Sequence, residues 1–251
     1  MSNLDELLTI AQSTAVYVGR VLSERQATWA HAERSSDHDI KLVGDRGAEA
    51  IAVAQLMRGT DISVFSEEAG LIGPSGGELL WVLDPLDGSA NYARDVPLCC
   101  VSIALCRGQE PLLGVIYDFN RDEMFSGIVG VGAHLNGTAI AVSSVAQKSR
   151  AILATGFPAA LDYGTGVLDG YIRAAQEFHK VRSLGTAALM LAYVAAGRFD
   201  VYREHNVRFW DVAAGMALVR AAGGSIDCQV DSAQLDARVR LCAHNGRLPV
   251  E

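Results

Sequence analysis

An apolar segment that runs directly into two carboxylates constrains the fold more than any other feature of this sequence. Residues 79–83 are typical of a buried strand, and Asp84-Pro85-Leu86-Asp87-Gly88-Ser89 follows at once. Proline fixes φ between the two acids and glycine frees the backbone after them, so a turn here can aim both carboxylates at one point. Acidic groups are therefore expected at the end of a buried strand.

Two interpretations fit this predicted turn. Converging carboxylates suit Mg²⁺, and the N–H groups of Gly88 and Ser89, at a predicted helix start, suit an anion. The plainer alternative is an acidic surface turn in which Ser89 caps the helix. Further acids favour the first interpretation: Glu67 and Glu68 follow another predicted strand, and Asp211 precedes an Ala-rich helix. The plainer alternative for Glu67 and Glu68 is that they are solvated side chains, and for Asp211 that it is a helix N-cap.

Hydrophobic periodicity predicts two successive architectures. The first part contains two helices, two strands and an antiparallel meander, at 4–29 and 45–57, 61–66 and 79–83, and 99–106, 112–117 and 123–127. The second part alternates strand and helix, at 151–154, 166–178, near Val181, 186–196, 199–202 and 212–222. This order predicts an α/β (α+β) protein with an N-terminal lobe over 1–148 and a C-terminal lobe over 149–251, within one compact unit.

Composition narrows the class of protein. With 251 residues, half of them apolar, the chain can fill a large core, and its formal charge of −8 comes without a basic cluster. Nucleic acid is therefore not an expected partner. Five cysteines without CxxC spacing indicate buried thiols in a reducing compartment, without disulfides or zinc. A charged N-terminus and the absence of a long apolar run predict a cytoplasmic protein without a membrane segment.

The sequence resembles the inositol monophosphatase family over nearly its whole length. That family lies within the lithium-sensitive, magnesium-dependent phosphatase superfamily, which includes the fructose-1,6-bisphosphatases. The resemblance rests on Ser-Glu-Glu at 66–68, Trp-Val-Leu-Asp-Pro-Leu-Asp-Gly-Ser-Ala-Asn-Tyr at 81–92, and Trp-Asp-Val-Ala-Ala-Gly at 210–215 with Ala-Gly-Gly at 222–224. Two shorter matches, Arg-Ser-Leu-Gly-Thr-Ala-Ala at 182–188 and Ala-Gly-Arg-Phe-Asp at 196–200, support it.

The resemblance implies a role for each matching residue. The metal ligands, for two or three Mg²⁺ ions, would be Glu67, Asp84, the backbone carbonyl of Leu86, Asp87 and Asp211. The catalytic residues would be Asp45 and Ser89, which orient the attacking water, and Glu68 in the outer shell. The substrate contacts would be Asp87, Gly88 and Ser89 for phosphate, and Gly185, Thr186, Ala187 and Glu204 for polyol hydroxyls. The implied fold is a layered αβαβα sandwich, and the implied assembly is a homodimer.

The implied activity is a Mg²⁺-dependent phosphomonoesterase that hydrolyses inositol monophosphate, or a similar sugar or polyol phosphate, with metal-activated water. Glu204 favours a polyol, because a carboxylate accepts hydrogen bonds from hydroxyls and repels a second phosphate. Rival substrates within the superfamily are fructose-1,6-bisphosphate, 3′-phosphoadenosine 5′-phosphate and histidinol phosphate. A further alternative is a non-catalytic member that binds RNA or protein. Ser89 as a covalent nucleophile is disfavoured, because no His or Lys is placed to activate it.

Four departures from the family pattern affect the site. Ser89 replaces the usual Thr, and Lys41-Leu42-Val43-Gly44-Asp45 lacks the hydroxyl that commonly precedes Asp45. Arg94 and Asp95 add a possible ion pair at the mouth of the site. Arg208 fits either a surface salt bridge or a contact with a second anionic group of a substrate. His179 and His205 are interpreted as structural, because the carboxylates already suit a hard metal.

Overall fold

The computed structural model describes residues 3–36, 39–74, 76–157, 164–232 and 234–249. The α-helices, in chain order, are α1 (Leu4–Trp29), α2 (Val43–Gly59), α3 (Ser89–Tyr92), α4 (Thr165–Glu177), α5 (Ala187–Ala195) and α6 (Phe209–Ala221). The strands are β1 (Ala32–Ser36), β2 (Asp39–Leu42), β3 (Ser63–Ser66), β4 (Gly70–Ile72), β5 (Leu79–Asp87), β6 (Cys100–Arg107), β7 (Glu110–Asp118), β8 (Glu123–Ile128), β9 (Gly132–Leu135), β10 (Thr138–Ile140), β11 (Ile152–Ala154), β12 (Lys180–Arg182), β13 (Val201–Arg208), β14 (Ser225–Val230) and β15 (Arg238–His244).

Two mixed sheets organise these elements. The large sheet has eight strands in the order β10-β9-β8-β7-β6-β5-β3-β4, and the small sheet has five in the order β12-β11-β13-β15-β14. In the large sheet β3 and β5 run parallel, whereas β5 to β10 form the antiparallel meander. In the small sheet β11 is parallel to both β12 and β13. Strands β1 and β2 form a separate hairpin.

Successive side chains along each strand of the large sheet point to opposite faces, so the sheet contributes to two hydrophobic cores. On β6, Val101, Ile103 and Leu105 face the core beneath α1 and α2. Cys100, Ala104 and Cys106 face the opposite core, which holds α5 and α6. Both faces of this sheet are therefore buried, which explains why β6 is apolar along most of its length.

The helices α5 and α6 form the central layer of the molecule. Their side chains pack in one cluster with Val82 and Ile116 of the large sheet and with Tyr202 and Leu241 of the small sheet. On the outer face of the small sheet, Ala174 of α4 packs against Leu153 and Val201. The order of layers is α1/α2, large sheet, α5/α6, small sheet, α4. The predicted αβαβα sandwich is confirmed.

The structure confirms the predicted helices at α1, α2, α4 and α5 and the predicted meander over β6 to β8. It differs at three elements that carry functional residues. Strand β5 runs on through Asp87, strand β13 runs on to Arg208, and helix α6 begins at Phe209 instead of 212. The strands β4, β9, β10, β14 and β15 and the hairpin β1–β2 have no counterpart among the predicted elements.

Candidate active site

A β-bulge in β5 brings Asp84 and Asp87 together. The predicted turn is wrong here, because both acids are strand residues: Asp84 pairs with Ser102 and Asp87 with Cys100, with a register shift between them. Residues three apart on a regular strand point to opposite faces. The bulge sets one extra residue of β5 against β6, and since positions 100 and 102 share a face, so do the two acids. Pro85, which donates no backbone hydrogen bond, lies within the bulge.

The chain reverses after Asp87 at Gly88. Its φ of 89° lies in the left-handed region, and a Cβ there would be 2.7 Å from the carbonyl oxygen of Leu98. Glycine is the residue that fits both restraints. Ser89 then opens the four-residue helix α3, so the predicted helix start is confirmed, and both positions are half-buried.

Helix α5 fixes the carboxylate of Asp87. The Thr186 hydroxyl donates to Asp87 Oδ2 at 2.5 Å, and the N–H of Ala188 donates to the same oxygen at 2.7 Å. Thr186 is also the N-cap of α5, where its Oγ1 accepts from the N–H of Leu189. Burial raises the pKa of Asp87 to about 6, even though the hydrogen bonds from Thr186 and Ala188 lower it.

Asp84 lies deeper in the same edge. Its Oδ1 accepts from the N–H of Leu86 at 3.0 Å. Burial, followed by the charges of Glu67, Asp87 and Asp211, raises the pKa of Asp84 well above its usual range. The electrostatic effects show that these four carboxylates lie near one another.

Asp211 approaches this group from the first turn of α6. The interpretation of Asp211 as the N-cap is wrong: Arg208 is the N-cap, and its N–H donates to Asp211 Oδ2 at 3.2 Å. Burial, then Asp87 and Glu67, raise the pKa of Asp211 well above its usual range. The carboxylate of Asp211 therefore accepts a hydrogen bond at the start of α6 and also faces the other carboxylates.

Glu67 and Glu68 occupy the turn that follows β3. Because β3 and β5 are parallel, with Ser66 paired to Leu83, the turn and the bulge lie at the same edge of the large sheet. Glu49 of α2 holds this turn: its Oε1 accepts from the N–H of Glu68 at 3.2 Å and of Ala69 at 3.0 Å. Glu49 is buried, and the sequence alone predicts no role for it.

Asp45 lies in the first turn of α2, one helical turn before Glu49. Its Oδ2 accepts from the N–H of Leu42 at 2.7 Å, at the start of the helix. The side chain is buried, and its charge contributes to a raised pKa of Tyr92, of which burial is the main cause. Asp45 therefore lies beside α3, the helix that Ser89 opens.

The Gly185-Thr186-Ala187 segment is joined to the acidic edge by Asn91. The amide of Asn91 donates to the carbonyl oxygens of Leu98 and Leu184, each at 2.8 Å. Gly185 is exposed, while Thr186 and Ala187 are buried at the start of α5. Asn91 belongs to the matched motif at 81–92, but its bridging role could not be inferred from the sequence.

Glu204 reaches the site from the middle of β13. The Tyr202 hydroxyl donates to Glu204 Oε2 at 2.9 Å, and a Cβ at Gly156 would be only 2.3 Å from Oε1. Burial raises the pKa of Glu204 to about 7, and the charge of Asp87 adds to the increase. The sequence prediction missed Tyr202 and Gly156, although Tyr202 stands two residues before Glu204 and hence on the same face of a strand.

The two arginines singled out by the sequence have different surroundings. Arg94 is exposed, and Asp95 accepts from the side-chain amide of Gln26 at 3.1 Å. The guanidinium of Arg208 lies 5.3 Å from the ring centroid of Trp210 and donates to the carbonyl oxygen of Asp236 at 2.7 Å. Arg208 therefore packs at the start of α6.

The donor set fits a hard divalent cation. In the described ranges, no Lys, Arg or His forms an ion pair with Asp84, Asp87 or Asp211, although all three carboxylates are in mutual electrostatic range. Nor do these ranges contain three or more His, Cys, Asp or Glu side chains already arranged to hold a metal ion. Carboxylates and a carbonyl such as that of Leu86 are the oxygen ligands that Mg²⁺ prefers.

Fold and site together define a layered α/β protein with a carboxylate-rich site between its large sheet and its central helices. The family model of the inositol monophosphatase family matches residues 3–246. The chain belongs to that family.

Comparisons with individual proteins agree. The chain is 34% identical to the inositol-1-monophosphatase of Synechocystis, a match that covers 100% of this chain and 88% of the relative. It is 41% identical to Nus factor SuhB of Xylella fastidiosa, a match that covers 78% of this chain and 71% of the relative. The inositol monophosphatase structure from Anabaena has a TM-score of 0.83 at 35% identity, covering 98% of this chain and 93% of that one. Extragenic suppressor protein suhB of Bartonella henselae has a TM-score of 0.87 at 31% identity, with 95% and 93% covered.

Two further predictions concern membrane-spanning segments and nucleic acid as a partner. Throughout the described ranges, the helices are too short or too polar to cross a membrane. The expectation that nucleic acid is not a partner receives no support, since several relatives carry the name Nus factor SuhB.

Proposed function

We propose that this chain is a Mg²⁺-dependent phosphomonoesterase that hydrolyses inositol monophosphate or a similar sugar or polyol phosphate. The main support is the cluster of Asp84, Asp87 and Asp211 at the edge of the large sheet. The charges of Asp87 and Asp211 help to raise the pKa of Asp84, and the charge of Asp87 helps to raise the pKa of Asp211. Within the described ranges none of these three carboxylates forms an ion pair with Lys, Arg or His. Membership of the inositol monophosphatase family adds to it.

The proposed ion-binding groups come from three elements. The turn after β3, the bulge of β5 and the first turn of α6 supply Glu67, Asp84, the carbonyl of Leu86, Asp87 and Asp211. When two or three Mg²⁺ ions are bound, they lower the pKa of a water molecule and stabilise the developing charge of the leaving oxygen. The remaining contribution of the protein is to position the phosphate and the alcohol part of the substrate.

Main-chain N–H groups that follow β5 would position the phosphate, next to an Asp87 carboxylate held by α5. Thr186 and Ala188 hold one carboxylate oxygen of Asp87 in place, which leaves the other oxygen for ligation. The N–H groups of Gly88 and Ser89 follow directly and would contact the phosphate. We assign Asp45 and Ser89 to the orientation of the attacking water, and Glu68 to a supporting role from its turn.

Glu204 would select the alcohol part of the substrate. Its carboxylate can accept hydrogen bonds from vicinal hydroxyls, and Tyr202 fixes its orientation through Oε2. Gly185 and Ala187 would contribute main-chain contacts to the same hydroxyls. A second phosphate would meet the charges of Glu204 and Asp87, so a monophosphate of a polyol is preferred to a bisphosphate.

A panel of phosphate-release assays with Mg²⁺ tests this function. The substrates are inositol 1-phosphate, fructose-1,6-bisphosphate, histidinol phosphate and 3′-phosphoadenosine 5′-phosphate. We expect turnover of inositol 1-phosphate, and its loss by at least 10³-fold in Asp87→Asn, because the substitution removes ligand charge. Asp61→Asn, on an exposed loop, is the matched control and should retain wild-type rates.

The names of the SuhB relatives make a binding role the second candidate. No turnover of any substrate, together with no Mg²⁺-dependent change in the melting temperature, would exclude the proposed enzyme and favour that role. Turnover of one of the other three substrates alone would retain the phosphatase and reject the polyol assignment.

A further inference from the structure

A cavity lies on the outer face of the small sheet, away from the carboxylate site. It has a volume of about 490 Å³ and is enclosed by α4 and by residues of β11, β12, β13 and β15. Arg203 and His205, the neighbours of Glu204 on β13, line it. Because successive side chains of a strand point to opposite faces, they project away from the active site that Glu204 faces.

The lining of this cavity is strongly basic. Its described charged residues are Arg173, Arg203, Arg240, His205 and Glu177. Within the described ranges, none of the three guanidinium groups forms an ion pair, whereas the Glu177 carboxylate accepts from Lys148 Nζ at 2.9 Å. Arg240 and Arg203 also add to the effect of burial in lowering the pKa of His205, so the positive groups lie close together.

One wall of the same cavity is aromatic. The rings of Phe157 and Tyr171 stack with their centroids 4.4 Å apart and their planes at 29°. Phe157 is 56% exposed, and the Tyr171 hydroxyl donates to the carbonyl oxygen of Gly156 at 3.0 Å, which fixes its ring. Leu153 and Val181 add apolar surface. A planar ring can be accommodated against such a wall.

We propose that this cavity is a binding site for a nucleoside monophosphate, with the base against Phe157 and Tyr171 and the phosphate against Arg203 and Arg240. Guanidinium groups match the phosphate geometry, and aromatic side chains stack on any base. The volume lies within the range of small-ligand pockets and suits a single nucleotide. The site depends neither on bound metal nor on the proposed phosphatase activity.

Calorimetry on the whole chain, in buffer with EDTA and without Mg²⁺, tests the proposal with adenosine 5′-monophosphate, adenosine and inorganic phosphate as probes. We expect the monophosphate to bind at least tenfold more tightly than either fragment. Arg240→Gln should weaken this binding at least tenfold and Phe157→Leu several-fold. The matched control is Arg107→Gln, at an exposed arginine of the large sheet. It should leave binding within twofold of wild type.

Four outcomes would overturn the site. The first is equal affinity for the monophosphate and adenosine, and the second is equal affinities in Arg240→Gln and Arg107→Gln. The third is loss of binding in Asp84→Asn, which would place the ligand at the carboxylates. Binding of a single-stranded RNA nonamer without binding of the monophosphate would also reject it. Phosphate release from inositol 1-phosphate should be unchanged in Arg240→Gln, so failure of this site and failure of the phosphatase are distinguishable.

Discussion

Thr186 Oγ1 donates to Asp87 Oδ2 at 2.5 Å and thereby joins the central helix layer to the edge of the large sheet. One hydroxyl serves two purposes, because it also accepts from the first turn of α5 as the N-cap. The carboxylate is thus positioned by a residue 99 positions later in the chain.

Thr186→Val should therefore affect stability and turnover together. Removal of the cap and of the hydrogen bond to a buried carboxylate should lower the free energy of unfolding by about 2 kcal/mol. Phosphate release should fall at least tenfold, since Asp87 loses a fixed orientation. Thr186→Ser, which keeps the hydroxyl, is the control, and urea unfolding with a phosphate-release assay gives both readouts. Equal stability of Val and Ser variants would contradict the capping role.

The buried carboxylates predict an unusual pH dependence of the metal-free protein. The folded pKa of Asp87 is raised from its ordinary value to about 6, so between pH 4 and 6 the folded state binds more protons than the unfolded chain. The contribution of Asp87 to stability is complete below about pH 4 and is lost as the pH rises through about 6. The raised pKa values of Asp84 and Asp211 act in the same direction.

Asp84→Asn tests this electrostatic effect. In EDTA at pH 7.5 the variant should be more stable than wild type, on the order of 1 kcal/mol, because a buried repulsive charge is removed. Mg²⁺ should raise the melting temperature of wild type and have little effect on the variant. Thermal unfolding at pH 5 and pH 7.5 measures both, with Asp61→Asn as control. A variant less stable than wild type in EDTA would refute the repulsion.

Glu204→Gln should change the ranking of substrates more than the metal requirement. The amide keeps the shape and can still accept from Tyr202, but it loses the charge that repels a second phosphate. We expect kcat/KM for fructose-1,6-bisphosphate to rise relative to inositol 1-phosphate, with an unchanged Mg²⁺ concentration for half-maximal activity. Steady-state kinetics on both substrates provide the test, and an unaltered ratio would remove Glu204 from the substrate site.

Gly156→Ala tests how Glu204 is placed. The new Cβ would meet both carboxylate oxygens within 2.4 Å, so the side chain of Glu204 must shift. Because this is the end of a flexible side chain, stability should fall by about 1 kcal/mol or less, while kcat/KM for inositol 1-phosphate should fall at least tenfold. Gly166→Ala has open space around its Cβ and is the matched control. Wild-type kinetics in Gly156→Ala would contradict the placement.

Much of the architecture could be predicted because periodicity reports burial directly. Helix α1 matches its predicted limits, since its apolar face repeats at helical spacing, and the meander follows from apolar runs separated by turns. Strand β14 was missed because most of its side chains are partly or fully exposed. Strand β13 was cut short because polar residues and a register shift interrupt it between Glu204 and Val207.

The identities of the acidic residues were easier to predict than their placement. The motif at 81–92 predicts which carboxylates bind metal, but its sequence resembles a turn because it contains Pro and Gly. Whether a residue is bulged depends on its partner strand, which local sequence does not specify. The roles of Glu49 and Asn91 depend likewise on main-chain groups distant in sequence.

Because of the bulge, the relative placement of Asp84 and Asp87 depends on how many residues β5 has between them compared with the paired part of β6. Deletion of Leu86 would restore an ordinary two-residue step, keep both carboxylates on one face and draw Gly88 toward the sheet. Deletion within β6 would instead shift Cys100 and leave the acidic motif intact in sequence. A relative that preserves every residue of the motif can therefore lose the site through an insertion or deletion in a strand that carries none of the proposed ligands.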